Sequence, residues 1–140
     1  MREGDAKKFK FLDHPSNLEI QAFGKNLPEL FTNAGLGLMT YLYPKKIDIA
    51  GYETKKEICL RAGDSNQLLT DWLFELMRFA NDHDICCNAF EFERINDEEL
   101  KANVFGRRIR SREKINSIVK DKTRIEKNQD GLQVTVVFKI

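Results

Sequence analysis

The residues that could carry chemistry lie mainly in one short segment near the start of the chain. Asp13, His14 and Asn17 supply a carboxylate, an imidazole and an amide between two stretches of alternating apolar and polar residues. Polar groups on a short loop between rigid elements are a common way for a fold to present a site. No Gly-x-Ser-x-Gly turn presents a nucleophile to His14, and glycine-rich phosphate loops are also missing from the sequence. The sequence therefore gives no reason to expect an enzyme.

A divalent cation is the second chemistry that these residues could support. Hard cations prefer several oxygen ligands, among them carboxylates, amide carbonyls and chain termini. The available oxygens are those of Asp13, Asn17 and the α-carboxylate of Ile140, which is a small set for a doubly charged ion. Metal binding stays open at this point, and no cofactor is expected.

The charge distribution adds a third feature. Residues 101–127, here called the basic segment, carry ten Lys and Arg against three Asp and Glu, whereas the whole chain has a net charge of +1. Such an excess attracts RNA phosphates or an acidic protein surface, and the alternative is a solvated face. The arginines that we expect to make such contacts are Arg107, Arg108, Arg110 and Arg112.

Length and composition indicate one folded domain over residues 1–140. The chain is 41% hydrophobic and has ten phenylalanines, which is enough for a core. It has no apolar run of membrane-spanning length and no secretory signal, so we expect a cytoplasmic protein without a membrane partner. Cys59, Cys86 and Cys87 are expected to be reduced and mostly buried thiols, because adjacent cysteines do not form a Cys-x-x-Cys clip.

Two amphipathic helices are predicted, at about Leu27–Leu42 and Asp64–Ala80. Asn26 can cap the first helix, and Asp64 or Ser65 begins the second. Both carry apolar residues at helical spacing.

The rest of the chain alternates with a period of two, which is typical of strands. Strands are predicted around residues 9–11, 18–22, 47–50, 57–61, 87–93, 100–105 and 132–140, and Asp130-Gly131 is a hairpin turn signal. The predicted fold is α+β, a mainly antiparallel sheet with both helices on one face. The residues expected in its core are Phe9 or Phe11, Ile20, Leu30, Phe31, Leu38, Leu69, Trp72, Leu73, Leu76, Phe92, Val134 and Val136.

Three motifs resemble the archease family. Residues 12–24 resemble its first motif, which reads roughly Asp-His-Thr-Ala-Asp before a strand that ends in Ala-x-Gly. Residues 30–39 resemble its leading helix, and residues 64–76 resemble its second-helix motif with a leucine pair before Trp-Leu. The final apolar strand and the total length agree, so the resemblance covers essentially the whole chain.

This resemblance implies a function. Archeases are small α+β proteins that assist the GTP- and manganese-dependent RNA ligase of tRNA splicing and RNA repair, and they promote guanylylation of that ligase. The family binds a divalent cation, calcium in crystals, through the last residue of the first motif, the penultimate aspartate and the C-terminal carboxylate. The equivalent positions in this chain are Asn17, Lys139 and Ile140.

Two of these three positions depart from the family pattern. Asn17 and Lys139 both stand where the family has aspartate, and the lysine brings an ammonium group that could pair with the Ile140 carboxylate. We therefore expect the metal site to be empty or much weakened. The leading hypothesis is a non-catalytic, archease-like partner of an RNA ligase, with Asp13, His14 and the four arginines as contacts. The alternatives are a diverged protein- or RNA-binding module without metal binding or ligase activation and, third, a metal-dependent enzyme.

Overall fold

The computed structural model describes residues 8–12, 17–44, 53–110 and 113–140. Three of the predicted contact residues, Asp13, His14 and Arg112, lie outside these ranges, and so does the predicted strand at residues 47–50.

The described residues form two long helices, α1 (Leu27–Leu42) and α2 (Ser65–His83). The Asn26 side chain caps α1 by accepting the Glu29 amide at 3.0 Å, and the Asp64 side chain caps α2 by accepting the Gln67 amide at 2.9 Å. Both predicted helices are confirmed. Helix α2 runs three residues beyond the prediction because it ends at Asp84, whose left-handed backbone (φ 58°) terminates the helix after a polar, exposed last turn.

The strands form two antiparallel sheets instead of one. They are β1 (Phe9–Leu12), β2 (Asn17–Gly24), β3 (Thr54–Arg61), β4 (Ile85–Ile95), β5 (Glu99–Arg108), β6 (Ser117–Ile118), β7 (Arg124–Asn128) and β8 (Gly131–Lys139). Sheet A has the order β1-β2-β8, with β6 and β7 pairing in turn along the other edge of β8. Sheet B has the order β3-β5-β4. The predicted hairpin at Asp130-Gly131 joins β7 to β8.

Both helices pack against sheet B, as predicted, but α1 makes its most extensive contact with β2 of sheet A and also packs against β1, while α2 reaches β7. Helix α1 therefore joins the two sheets, which the sequence pattern did not reveal. The α+β class with mainly antiparallel pairing is confirmed.

Trp72 occupies the centre of the core. Its side chain is fully buried, its indole N–H donates to the Phe31 carbonyl at 3.0 Å, and its ring lies 5.4 Å from Phe90 and 5.1 Å from Phe92 between centroids. The predicted core is confirmed, with Phe92 half-buried. Of the two alternatives on β1, Phe9 packs against the core while Phe11 is 44% exposed.

Candidate functional site

The first candidate site lies where β2 begins and β8 ends. Asn17 is directly opposite Lys139 in the antiparallel pairing of these strands, and Ser117 of β6 is opposite Lys139 on its other side. The Asn116 amide donates to the Lys139 carbonyl at 2.7 Å, and the Val119 amide donates to Val137 at 2.8 Å. The last residues of β8 are therefore held between two strands. The structure brings Asn17 and Lys139 together on one rung, here called the terminal rung, with Ile140 directly after it.

Apolar packing sets the register of this rung. Leu18 faces Phe138 and Ile20 faces Val136, and all four side chains are buried. A slip of one residue would turn this apolar face to solvent and place polar residues in the core. The position of Asn17 opposite Lys139 thus follows from the buried pairs beside it.

The terminal rung has the wrong charge for a cation site. Asn17 contributes a neutral, half-buried amide, Lys139 contributes an exposed ammonium, and Ile140 is 50% exposed. Within the described ranges, no cluster of three or more His, Cys, Asp or Glu side chains could hold a metal ion. Residues directly opposite each other on paired strands project from the same face of the sheet. The Lys139 ammonium therefore lies on the Asn17 face, where a bound cation would need an anionic oxygen.

The expected ion pair between Lys139 and the Ile140 carboxylate is not formed. None of the carboxylates in the described part of the chain lies within 4.0 Å of the Lys139 ammonium.

The second candidate site is the described part of the basic segment. Arg107 is paired with Glu53, its guanidinium 3.6 Å from the carboxylate, and the Arg108 amide donates to the same carboxylate at 3.2 Å. The side chains of Arg108 and Arg110 are exposed. The sequence did not predict a role for Glu53, because no local pattern indicates that it pairs with residues at the end of β5.

The backbone of this segment is hydrogen-bonded to the C-terminal ends of both helices. The Ile109 amide donates to the Asp84 carbonyl after α2 at 2.7 Å, and the Glu113 amide donates to Leu42 at the end of α1 at 2.8 Å. Helix C-termini carry partial negative charge, which favours nearby cations. Backbone hydrogen bonds therefore anchor the segment at the ends of both helices.

The two candidate sites adjoin each other. Two residues, Lys114 and Ile115, separate Glu113, bonded to the end of α1, from Asn116, bonded to Lys139 of the terminal rung. The stretch from Glu113 to Ser117 within the basic segment therefore connects the end of α1 to the terminal rung.

The cysteines do not contribute to either site. Burial raises the pKa of the Cys86 thiol to about 11, and burial, with a smaller effect of Cys86, raises the pKa of the Cys87 thiol to about 12. Both thiols are therefore inert at neutral pH, while Cys59 is exposed. The expectation of mostly buried thiols is confirmed for the adjacent pair and wrong for Cys59, whose side chain alternates to the solvent face of β3.

Among the helices of the described ranges, none combines the length and the apolar character needed to cross a membrane.

Comparison with known proteins identifies one family. The model of the Archease protein family (MTH1598/TM1083) matches residues 9–140. A curated protein named Protein archease from Methanosarcina acetivorans is 30% identical over 143 residues, which cover 96% of this chain and 97% of that protein. The solution structure of protein 1598 of Methanobacterium thermoautotrophicum has a TM-score of 0.74 at 23% identity, over 96% of this chain and 99% of that one. A crystal structure of an archease, possible chaperone, from Thermotoga maritima has a TM-score of 0.61 at 20% identity, over 94% of this chain and 96% of that one. These solved structures share the fold.

Proposed function

The chain belongs to the archease family, and on this basis we propose that it is a non-catalytic accessory protein that assists a GTP- and manganese-dependent RNA ligase of the tRNA-splicing type. The observation that carries the proposal is the family match over residues 9–140, which includes every described element of both sheets. The lack of a nucleophile motif in the sequence supports a role without catalysis of its own.

The protein acts on the ligase by docking and not by delivering a metal ion. Lys139 and Asn17 offer a positive charge and a neutral amide on the terminal rung, which oppose tight binding of calcium or manganese. The surface available for docking is the terminal rung with the adjoining end of the basic segment, where Arg108 and Arg110 are exposed. Cations on such a surface favour an acidic patch of the ligase or its RNA.

The test is a guanylylation assay with the RNA ligase of the same organism, run with and without this protein. We expect faster guanylylation and more turnovers in its presence, with no reaction from the protein alone. In the manganese buffer that the ligase requires, the rate should be the same with and without added calcium, because docking needs no metal on the terminal rung. An unchanged ligase at saturating amounts of the protein would contradict the proposal.

A second function is favoured by the charge of the terminal rung. The replacement of both family aspartates fits a diverged binding module that has lost ligase activation and binds RNA or another protein through the basic segment. Retention of RNA with a steep dependence on salt, together with no effect on the ligase, would support this second function over the first.

A further inference from the structure

The solvent-facing side of sheet B contains a cavity that neither proposed function uses. It lies near the turn between β4 and β5, has a volume of about 390 Å³ and is lined by Cys59, Leu60, Arg61, Arg94, Glu99, Leu100 and Lys101. Three of these side chains are cationic and one is anionic. Within the lining the cations exceed the carboxylate by two, and Glu57 and Glu93, each 3.7 Å from the Lys101 ammonium, balance that excess.

A β-bulge places two of the cations opposite each other. The pairing of β4 with β5 shifts between Phe92 and Arg94, so that Arg94 lies opposite Lys101. Without the extra residue, Glu93 would lie opposite Lys101 and form an ordinary pair of opposite charge. Bulges frequently redirect side chains next to functional sites. The repulsion between these two like charges is offset in part, because the Lys101 ammonium also lies near the carboxylates of Glu57 and Glu93.

The other two cations are neutralised within the described residues, whereas Arg94 is not. The Lys101 ammonium lies 3.7 Å from both Glu57 and Glu93, and the Arg61 guanidinium lies 3.6 Å from Glu99. Arg94 is exposed and forms no ion pair with any residue that the structure describes. The cavity thus offers one guanidinium, that of Arg94, which has no ion-pair partner among the described residues.

We propose that this cavity binds the terminal phosphate of a small phosphorylated ligand, of the size of a nucleoside monophosphate. The planar guanidinium of Arg94 can bind a phosphate through two parallel hydrogen bonds. The volume lies at the lower end of the range for small-molecule sites, so it leaves room for the group that bears the phosphate. The inference is independent of the ligase partnership, since it concerns the face of sheet B and not the terminal rung.

Cys59 provides a direct reporter of occupancy because it lines the cavity. It is the exposed thiol, while Cys86 and Cys87 are buried and protonated at neutral pH. The rate of alkylation by iodoacetamide, an uncharged reagent, is measured with increasing inorganic phosphate or a nucleoside 5′-monophosphate. We expect both to slow the alkylation of Cys59, the monophosphate at the lower concentration, and to raise the melting temperature.

Three variants test the assignment. Arg94→Gln should weaken protection by the monophosphate about tenfold or more, as loss of a charge-assisted hydrogen bond does. Glu99→Gln removes the one acid of the cavity and should strengthen protection, a gain that a merely structural role would not produce. Arg78→Gln is the matched control, because Arg78 is an exposed arginine on α2 that pairs with Glu75 and Asp82 away from the cavity.

The source of the phosphate is distinguished with short RNA oligonucleotides. Protection by a 5′-phosphorylated oligonucleotide and not by its 5′-hydroxyl form would identify an RNA end as the bearer of the phosphate. Equal protection by both forms would overturn the proposal, since it would reflect general attraction of RNA. The proposal is also overturned if Arg94→Gln and Arg78→Gln have the same effect, or if phosphate leaves the alkylation of Cys59 unchanged.

Discussion

The core around Trp72 and the terminal rung of Asn17 and Lys139 are held by different forces. Trp72 is fully buried, contacts three phenylalanine rings and satisfies its indole N–H on the Phe31 carbonyl. The terminal rung is held by backbone pairing, and its two polar side chains are half-buried (Asn17) and exposed (Lys139). Packing in the core tolerates little change of volume, while exposed polar residues can be exchanged at small cost in stability.

This difference explains how a member of the archease family can keep its fold with altered polar residues. The family match runs over residues 9–140, and a solved structure at 23% identity has a TM-score of 0.74. At the terminal rung, the resemblance assigns aspartate to two positions that hold Asn17 and Lys139 here. Because the register depends on Leu18 and Phe138, these exchanges change the chemistry of the rung without moving it.

The largest effect is expected in the core. Trp72→Ala should lower the free energy of unfolding by about 3–5 kcal/mol, since it leaves a large cavity among Phe31, Phe90 and Phe92. Phe74→Ala is the control on the same helix, because Phe74 is 49% exposed, and it should cost about 0.5 kcal/mol or less. Urea denaturation monitored by circular dichroism measures both. Equal losses for the two variants would remove the contrast between core and surface.

Alkaline pH should weaken the core next. The pKa of the Cys87 thiol in the folded protein, about 12, is higher than in the unfolded chain. The stability of the neutral thiol is therefore fully present below the unfolded pKa and is lost as the pH rises towards the folded one. From about pH 9 upward, this thiol should lower the free energy of unfolding by up to about 1.4 kcal/mol per pH unit.

Denaturation at several pH values checks this slope with two cysteine variants. Cys87→Ala should reduce the loss of stability between neutral and alkaline pH, while Cys59→Ala, at an exposed thiol, should leave it as in the unmodified protein. The same slope in all three proteins would show that Cys87 does not report on the core.

The third effect concerns the terminal rung. Asn17→Asp combined with Lys139→Asp should create a calcium site, because it supplies two carboxylates on one rung. Without calcium, repulsion between the two facing carboxylates should lower the free energy of unfolding by about 0.5–1 kcal/mol. Bound calcium should restore this lost stability. Isothermal titration calorimetry should show a tight site in the double variant and none in the unmodified protein.

A neighbouring rung offers the control. Gln21 lies opposite Thr135 on the same face of sheet A, so Gln21→Asp with Thr135→Asp places two carboxylates in the same geometry. We expect weaker calcium binding there, because this rung lies away from the Ile140 end of the strand. A tightly bound cation in the unmodified protein would contradict the charge argument at the terminal rung.

The smallest effect on stability is expected in the basic segment. Replacing Arg107, Arg108, Arg110 and Arg112 with glutamine should change the free energy of unfolding by about 0.5 kcal/mol or less per residue, as is usual for surface charges. If these arginines bind RNA, the slope of log affinity against log salt should fall by about one unit for each lost phosphate contact. Lys55→Gln combined with Lys56→Gln on β3 is the control for net charge. If the arginine and lysine variants weaken RNA binding equally, the basic segment is only a solvated face.

The sequence by itself determined the elements and their apolar faces. Asn26 and Asp64 identified the starts of both helices, since a cap acts within three residues of itself. Apolar residues repeat every two positions along the strands and about every 3.6 positions along the helices, and these repeats identified the buried faces. Like the caps, the repeats depend only on residues close together in the sequence. The resemblance to the family also located Asn17 and Lys139, although it could not show how they are oriented.

Only the tertiary structure decided how distant segments meet. The pairing of β2 with β8 puts Asn17 opposite Lys139, the pairing of Glu53 with Arg107 joins the start of β3 to the end of β5, and the bulge before Arg94 turns it towards Lys101. The division into two sheets with α1 between them is of the same kind. Such contacts depend on long-range packing and on single-residue shifts of register, for which a local pattern of polar and apolar residues contains no signal.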